Sequence, residues 1–91
     1  MSRRVIWKCG LQIADGPQRL ELPAGAIPVK VQMQGVAPAL WAIVDPDQPV
    51  VFQYVQMFGT GHELPEDAGC YLGTVQQHGG ALVWHFFLMD P

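Results

Sequence analysis

The side chains and backbone groups most able to do chemistry lie between positions 59 and 67 of this 91-residue chain. The backbone amides of Gly59, Thr60 and Gly61 could bind a phosphate, and His62 follows these residues directly. The segment lacks the lysine of a Walker A loop and the third glycine of a dinucleotide-binding turn. We therefore interpret the glycines as a tight exit from a strand, and phosphate binding by bare amides is the alternative.

His62 is followed closely by acidic residues that could tune it as a general base. These are Glu63, Glu66 and Asp67. A hydrolase that uses His62 with Glu66 or Asp67 is one hypothesis. A loop histidine that is hydrogen-bonded within its own turn accounts for the same residues, and we favour that interpretation. We therefore assign no catalytic residue and expect a protein that is not an enzyme.

The remaining histidines and cysteines do not form a recognisable metal or nucleophile motif. His85 falls on an apolar strand, where a histidine is more often a core or interface residue than a ligand, and His78 adjoins a Gly-Gly pair. No pair has a ligand spacing such as HxH or CxxC, so we predict neither a metal nor a cofactor. Cys9 and Cys70 are too few for a disulfide framework, and we interpret them as buried free thiols.

Charge is scarce and unevenly distributed along the chain. Lys and Arg number 5, Asp and Glu number 8, and only 14% of residues are charged. Nothing basic follows Lys30, so no basic stripe continues through the fold and nucleic-acid binding is not expected. A monomer this small needs more charge to cover its surface. We therefore expect part of the surface to be covered by another chain, most simply in a homodimer.

Proline and apolar alternation together predict an all-β fold. Prolines recur from position 17 to position 65, which excludes helices from most of that region. The segments between them are rich in β-branched and aromatic residues. The predicted strands are 4–13, 18–22, 26–34, 37–45, 50–58, 70–77 and 81–89. We expect one helical turn near Pro65 and Asp67 and a primed hairpin turn at Gly79 and Gly80. The prediction is one domain over residues 1–91, a small antiparallel β-sandwich or partly open barrel of about seven strands.

The fourth and fifth predicted strands are apolar on both faces. On the fourth, Trp41 points away from the side that carries Leu40 and Val44, and on the fifth Phe52 and Tyr54 oppose Val55. Such strands are buried on both sides, either within the fold or by a partner. Trp41 is therefore our predicted interface anchor. The candidate ligand- or partner-binding residues are Trp41, Gly59, Thr60, Gly61, His62, Glu63, Asp67 and His85.

Several blocks of the sequence together carry a family resemblance. They are IWK (6–8), LPAGA (22–26), LWAIVDPD (40–47), GTGHELP (59–65), YLGTVQ (71–76) and GGALVWHFF (79–87). With these blocks the chain resembles a family of small uncharacterised proteins encoded by bacteriophages and prophages. The resemblance implies expression inside a bacterial host. The absence of a visible signal peptide or membrane-spanning stretch predicts the same location, the host cytoplasm.

These observations lead to a functional hypothesis with named alternatives. We expect a non-enzymatic phage accessory protein that self-associates as a dimer and binds a host or phage protein. The phage resemblance suggests inhibition of a host defence system as its first role. One alternative is a nucleotide-signal sponge whose pocket, at a subunit boundary, combines the Gly59–His62 amides with an aromatic residue such as Trp41. The others are a virion structural component and a hydrolase based on His62.

Overall fold

The computed structural model of this protein describes residues 3–90, which form two antiparallel β-sheets. The strands are β1 (Val5–Gly10), β2 (Gln18–Pro23), β3 (Ile27–Gln34), β4 (Ala37–Val44), β5 (Val50–Gly59), β6 (Ala68–Gln77) and β7 (Leu82–Met89). One sheet has the order β1-β4-β3 and the other the order β2-β5-β7-β6. The prediction of a seven-stranded, antiparallel, all-β fold is confirmed.

The core lies between the sheets and is built mainly by side chains that alternate along the strands. On β4, Leu40, Ala42 and Val44 are buried, and on β7 Phe86 is fully buried. Removing a leucine or phenylalanine side chain from water contributes about 1.5–3 kcal/mol. The buried cluster comprises Leu11, Leu20, Leu22, Val31, Leu40, Ala42, Val44, Val55, Met57, Leu72, Val75 and Phe86.

The two sheets meet where β3 crosses β6, a contact that we call the seam. A Cβ atom at Gly73 would lie 2.9 Å from the Cβ of Val31 and 3.1 Å from both its backbone N and O. Only glycine allows the two backbones to approach this closely. Both strands are also irregular near the seam, with register shifts between Pro28 and Lys30 and between Tyr71 and Gly73. The outer strands at the opposite side of each sheet, β1 and β2, are therefore the free edges.

The turn between β6 and β7 has the predicted primed geometry. Gly79 and Gly80 both have positive φ angles, 66° and 94°, and the Ala81 N–H donates to the His78 carbonyl. The turn comprises His78–Gly80, and His78 too has a positive φ angle, 53°, so all three residues are left-handed. Across residues 3–90 no helix is long and apolar enough to cross a lipid bilayer.

The helical turn predicted near Pro65 and Asp67 is wrong. A single hydrogen-bonded turn stands there instead, in which the Ala68 N–H donates to the Pro65 carbonyl at 3.1 Å. The Asp90 N–H donates to the Asp67 carbonyl at 2.7 Å, which extends the β6–β7 ladder back to Asp67. Because this segment is already held by the ladder, it cannot continue into a helix.

Strand β1 is shorter than the sequence predicts, and a glutamine side chain explains where it ends. The Gln18 amide accepts a hydrogen bond from the Gln12 N–H at 2.8 Å and donates one to the Gln12 carbonyl at 2.6 Å. The Gln18 side-chain amide thus supplies the backbone hydrogen bonds that Gln12 would otherwise make to a neighbouring strand. The Leu11 N–H still donates to the Pro38 carbonyl of β4 at 3.0 Å, and the chain then passes to β2 in the other sheet.

The two cysteines differ in exposure. Both are free, as predicted, and Cys9 is half-buried, but the prediction that both are buried is wrong for Cys70. Cys70 is exposed because it lies in the irregular start of β6, where the register shifts between Ala68 and Tyr71. Burial raises the pKa of the Cys9 thiol.

We expect iodoacetamide at neutral pH to alkylate Cys70 faster than Cys9, by about fivefold or more, because only the thiolate reacts and access also limits the rate. The raised pKa of Cys9 lowers its thiolate fraction at that pH, and the thiol is half-buried. Mass spectrometry of the digested protein at successive times gives both rates. Faster labelling of Cys9 would contradict the partial burial of its thiol.

Candidate binding site

Four of the predicted site residues, Gly59–His62, converge with His85 at one end of the four-stranded sheet. Gly59 ends β5, the following loop folds back over the sheet, and His85 projects from β7 opposite Phe58. Together they border an open pocket of about 230 Å³. Its lining residues are Phe58, Gly59, Thr60, Gly61, His62, Leu64, Tyr71, His85 and Phe87.

The other predicted site residues lie elsewhere. Trp41 is half-buried on the outer face of the three-stranded sheet, in register with Lys8 on β1 and Lys30 on β3. Glu63 and Asp67 are exposed and do not line the pocket. Within one subunit Trp41 therefore does not share a pocket with the Gly59–His62 amides.

His85 is the centre of a chain of polar side chains on an otherwise apolar face. Its Nε2 lies 2.8 Å from the Thr60 Oγ1 and its Nδ1 lies 2.9 Å from the Thr74 Oγ1. The Thr74 Oγ1 is also 2.5 Å from the Tyr71 Oη. Hydroxyl groups both donate and accept, so a neutral imidazole is satisfied in either tautomer. The chain fixes the ring of His85 and ties the loop after β5 to strands β6 and β7.

The glycines before His62 serve the geometry of the loop. A Cβ atom at Gly59 would lie 2.9–3.3 Å from atoms of the His62 ring, so the imidazole rests directly on the Gly59 backbone. The His62 N–H donates to the Gly59 carbonyl at 3.1 Å, and Gly61 has a φ of 88°. This arrangement agrees with a tight strand exit that keeps His62 within its own turn.

A broad aromatic surface extends from the pocket across the four-stranded sheet. Alternation on β5 turns Val55 and Met57 inward, and it turns the aromatic residues of that strand outward. We call this surface the aromatic face. It consists of Phe52, Tyr54, Phe58, Tyr71 and Phe87.

The rings of the aromatic face contact one another but remain open to solvent. Phe87 packs edge-to-face on Phe58, with centroids 5.9 Å apart, and on Tyr71, with centroids 5.6 Å apart. Phe52, Tyr54 and Tyr71 are 60%, 47% and 58% exposed. Strands β5, β6 and β7 contain no Lys, Arg, Asp or Glu.

The predicted site residues did not include four that also line the pocket, namely Phe58, Leu64, Tyr71 and Phe87. The signal for Tyr71 was present, since it alternates with the buried Leu72. That it shares a surface with β5, however, depends on β7 lying between β5 and β6.

No cluster of three or more His, Cys, Asp or Glu side chains within residues 3–90 is arranged to hold a metal ion. The pocket offers aromatic rings for stacking, the hydrogen-bonding groups of the His85 chain and the exposed His62.

Comparison with known protein families gives a match over nearly the whole chain. Residues 2–91 match the family model described as Domain of unknown function (DUF7352). The chain belongs to this family. No curated protein and no solved structure matches it. Because the description of DUF7352 names no activity, the function of this member has to be argued from its surface.

Proposed function

We propose that this protein is a non-enzymatic binding protein that works as a homodimer, in which the aromatic faces of two copies pack together. The exposure of Phe52, Tyr54 and Tyr71 on strands β5 and β6 of one sheet is the observation that carries the proposal. Contiguous apolar patches of this kind mark interaction sites on soluble proteins. Aromatic side chains are also enriched among the residues that dominate binding energy.

A second copy is the partner that this surface fits best. The strands β5, β6 and β7 carry no charge by which a foreign charged surface could be recognised. At the rim, β2 presents Arg19 and Glu21, whose side-chain charges are 3.9 Å apart. A two-fold axis would bring Arg19 of each copy towards Glu21 of the other. A rim with both signs is therefore complementary to itself.

The dimensions of the molecule support the same partner. Four strands about 4.8 Å apart and six to ten residues long give a face of roughly 500 Å² in projection. The protruding side chains make its accessible area larger, towards the ~800 Å² that each partner buries in a standard interface. The fold is also flat, 45 × 30 × 15 Å. Its radius of gyration of 13.5 Å exceeds the roughly 12 Å expected for a compact domain of this length. A body this thin has little interior in which to hide its aromatic residues.

The biological role that we propose is that of a phage-encoded accessory protein in the cytoplasm of a bacterial host. There the dimer would bind a host or phage protein, and inhibition of a host defence system is the role we propose first. The motive is the resemblance of the sequence blocks to proteins of phages and prophages. Pairing of the aromatic faces leaves the three-stranded sheets pointing outward and free to contact that partner.

Paramagnetic relaxation from a soluble spin probe tests which surface is covered. At high protein concentration we expect backbone amides beside Phe52, Tyr54 and Tyr71 to be shielded from the probe, and those beside Ile27 on the three-stranded sheet to remain accessible. On dilution the shielding should disappear. Equal accessibility of both sheets at every concentration would refute the aromatic face as the interface.

A second candidate function, binding of a small nucleotide, is favoured by the pocket beside His85. The pocket offers the ring of Tyr71 for stacking and the Thr60–His85–Thr74 chain for hydrogen bonding to a base edge. Because the pocket opens at the border of the aromatic face, a second copy would enclose it.

A thermal-shift screen with nucleotides tests this candidate. A ligand at a hundred times its dissociation constant stabilises the folded state by about 2.7 kcal/mol. We expect such a shift to be reduced in the variant Tyr71→Ala. Unchanged unfolding temperatures with every nucleotide would refute nucleotide binding and would not bear on the proposed homodimer.

A further inference from the structure

The four outer strands of the two sheets are not equally protected against pairing with another strand. An edge strand presents unpaired N–H and C=O groups, which natural proteins cover or interrupt with charge, proline or bulges. At the seam β3 and β6 face each other, and both have register shifts. Strand β2 carries Arg19 and Glu21 and ends on Pro23.

Strand β1 has none of these protections except a single lysine. Its six residues pair with β4 without a register shift, and it contains no proline. Within residues 3–90 no backbone hydrogen bond from outside the three-stranded sheet reaches Val5–Gly10. Both of its faces present exposed apolar side chains: Val5 and Trp7, each 38% exposed, lie on one, and Ile6, 63% exposed, lies beside Lys8 on the other. This is the arrangement to which an extended peptide adds as a further strand.

Charge indicates what kind of strand would add. The strands of the three-stranded sheet contain Lys8 and Lys30 and no acidic residue, although the chain as a whole carries a net charge of −3. Arg4 and Lys8 bracket Ile6 along β1. The Lys8 ammonium is exposed, and among residues 3–90 its hydrogen-bond partner is the neutral Gln34 side-chain amide, to which it donates at 2.8 Å. An acidic side chain on an incoming strand would offer it a stronger, charge-assisted hydrogen bond.

We infer that β1 is a docking edge for an extended segment of a partner protein in which apolar residues alternate with acidic ones. The apolar residues would continue the row of Val5 and Trp7, and the acidic residues would lie beside Arg4 and Lys8. A second copy of β1 fits less well, because two such strands related by a two-fold axis bring their Lys8 side chains near each other on one face. The inference deepens the proposed function by naming the chemistry of the partner.

Selection from a display library of random peptides, followed by amide hydrogen exchange with the selected peptides, tests the inference. We expect enriched sequences to alternate apolar residues with Asp or Glu. Bound peptides should slow exchange at alternate amides of Val5–Gly10 and leave the amides of β2 unchanged. Lys8→Glu should weaken binding by about tenfold or more, because it places like charges side by side. Lys30→Glu is the matched control on the far strand of the same sheet and should change binding by less than about twofold.

Three results would overturn the inference. One is a set of selected peptides that lack acidic residues or bind Lys8→Glu as tightly as the unmodified protein. Another is unchanged exchange at β1 with a selected peptide in excess. The last is slowed amide exchange at β1 in the absence of peptide that becomes stronger as the protein concentration rises. That result would show that a second copy of the protein, and not a foreign peptide, binds this edge. If the protein sediments as a monomer and still binds peptide at β1, the proposed homodimer is refuted and the docking edge is supported.

Discussion

Replacing Phe52 with serine is expected to raise the dissociation constant of the homodimer by about 30-fold or more, the effect of losing one dominant interface residue. Phe52 is 60% exposed within one subunit. In a two-fold interface the substitution removes the ring from both copies at once. The folded subunit should lose little stability, because the ring is largely exposed and its contact with the Arg19 guanidinium, 4.8 Å from its centroid, lies at the surface. At an exposed site such a contact contributes about 0.5–1 kcal/mol.

Dilution calorimetry measures this effect directly, since the heat of dissociation is recorded as the dimer is diluted. The matched control is Val36→Ser, which removes an apolar side chain that is 93% exposed at the turn between β3 and β4, on the other sheet. We expect the control to dissociate like the unmodified protein. If Phe52→Ser and Val36→Ser behave alike, the aromatic face is not where two copies meet.

The second large effect is expected at the seam, where Gly73→Ala should lower the free energy of unfolding by about 1–3 kcal/mol. The added methyl group would lie 2.9 Å from the Val31 Cβ and 3.1 Å from the backbone N and O of Val31. A flexible side-chain tip could move away, but the backbone of a paired strand cannot do so without shifting the sheet. Against the 5–15 kcal/mol that stabilises a typical domain, this loss is large.

Urea unfolding provides the comparison, with Gly10→Ala as the control. A Cβ at Gly10 meets no atom within 4 Å, and Gly10 does not have a positive φ angle. We expect the control to change the unfolding free energy by less than about 0.5 kcal/mol. Equal losses in the two variants would show that the strain at Val31 does not determine how the sheets pack.

Most of the fold could be predicted from the sequence because its signals are local. The alternation of β3 and β4, the proline spacing and the Gly79-Gly80 turn each predict structure within a few residues of themselves. The errors have non-local causes. The helical turn fails because Asp67 pairs with Asp90, and β1 ends early because Gln12 pairs with the side chain of Gln18.

The candidate site was predictable only where its residues are neighbours in sequence or lie on paired strands. Gly59 and His62 meet within one loop, and His85 joins them because β5 and β7 pair. Tyr71 could not be assigned to the site from sequence, because it lies on β6 and most of the site lies on β5. These strands are not paired with each other, and the strand order that brings them into one sheet was unknown. Trp41 was grouped with the loop because alternation shows that two faces are apolar but does not show which strands belong to the same sheet.

The central claim is that the uncharged aromatic face drives self-association, and sedimentation equilibrium at micromolar concentration tests it most directly. We expect a molar mass twice the 10.0 kDa of the chain, falling towards one chain on dilution and falling sooner for Phe52→Ser. A mass of 10.0 kDa at every concentration, unchanged by that substitution, would contradict the claim.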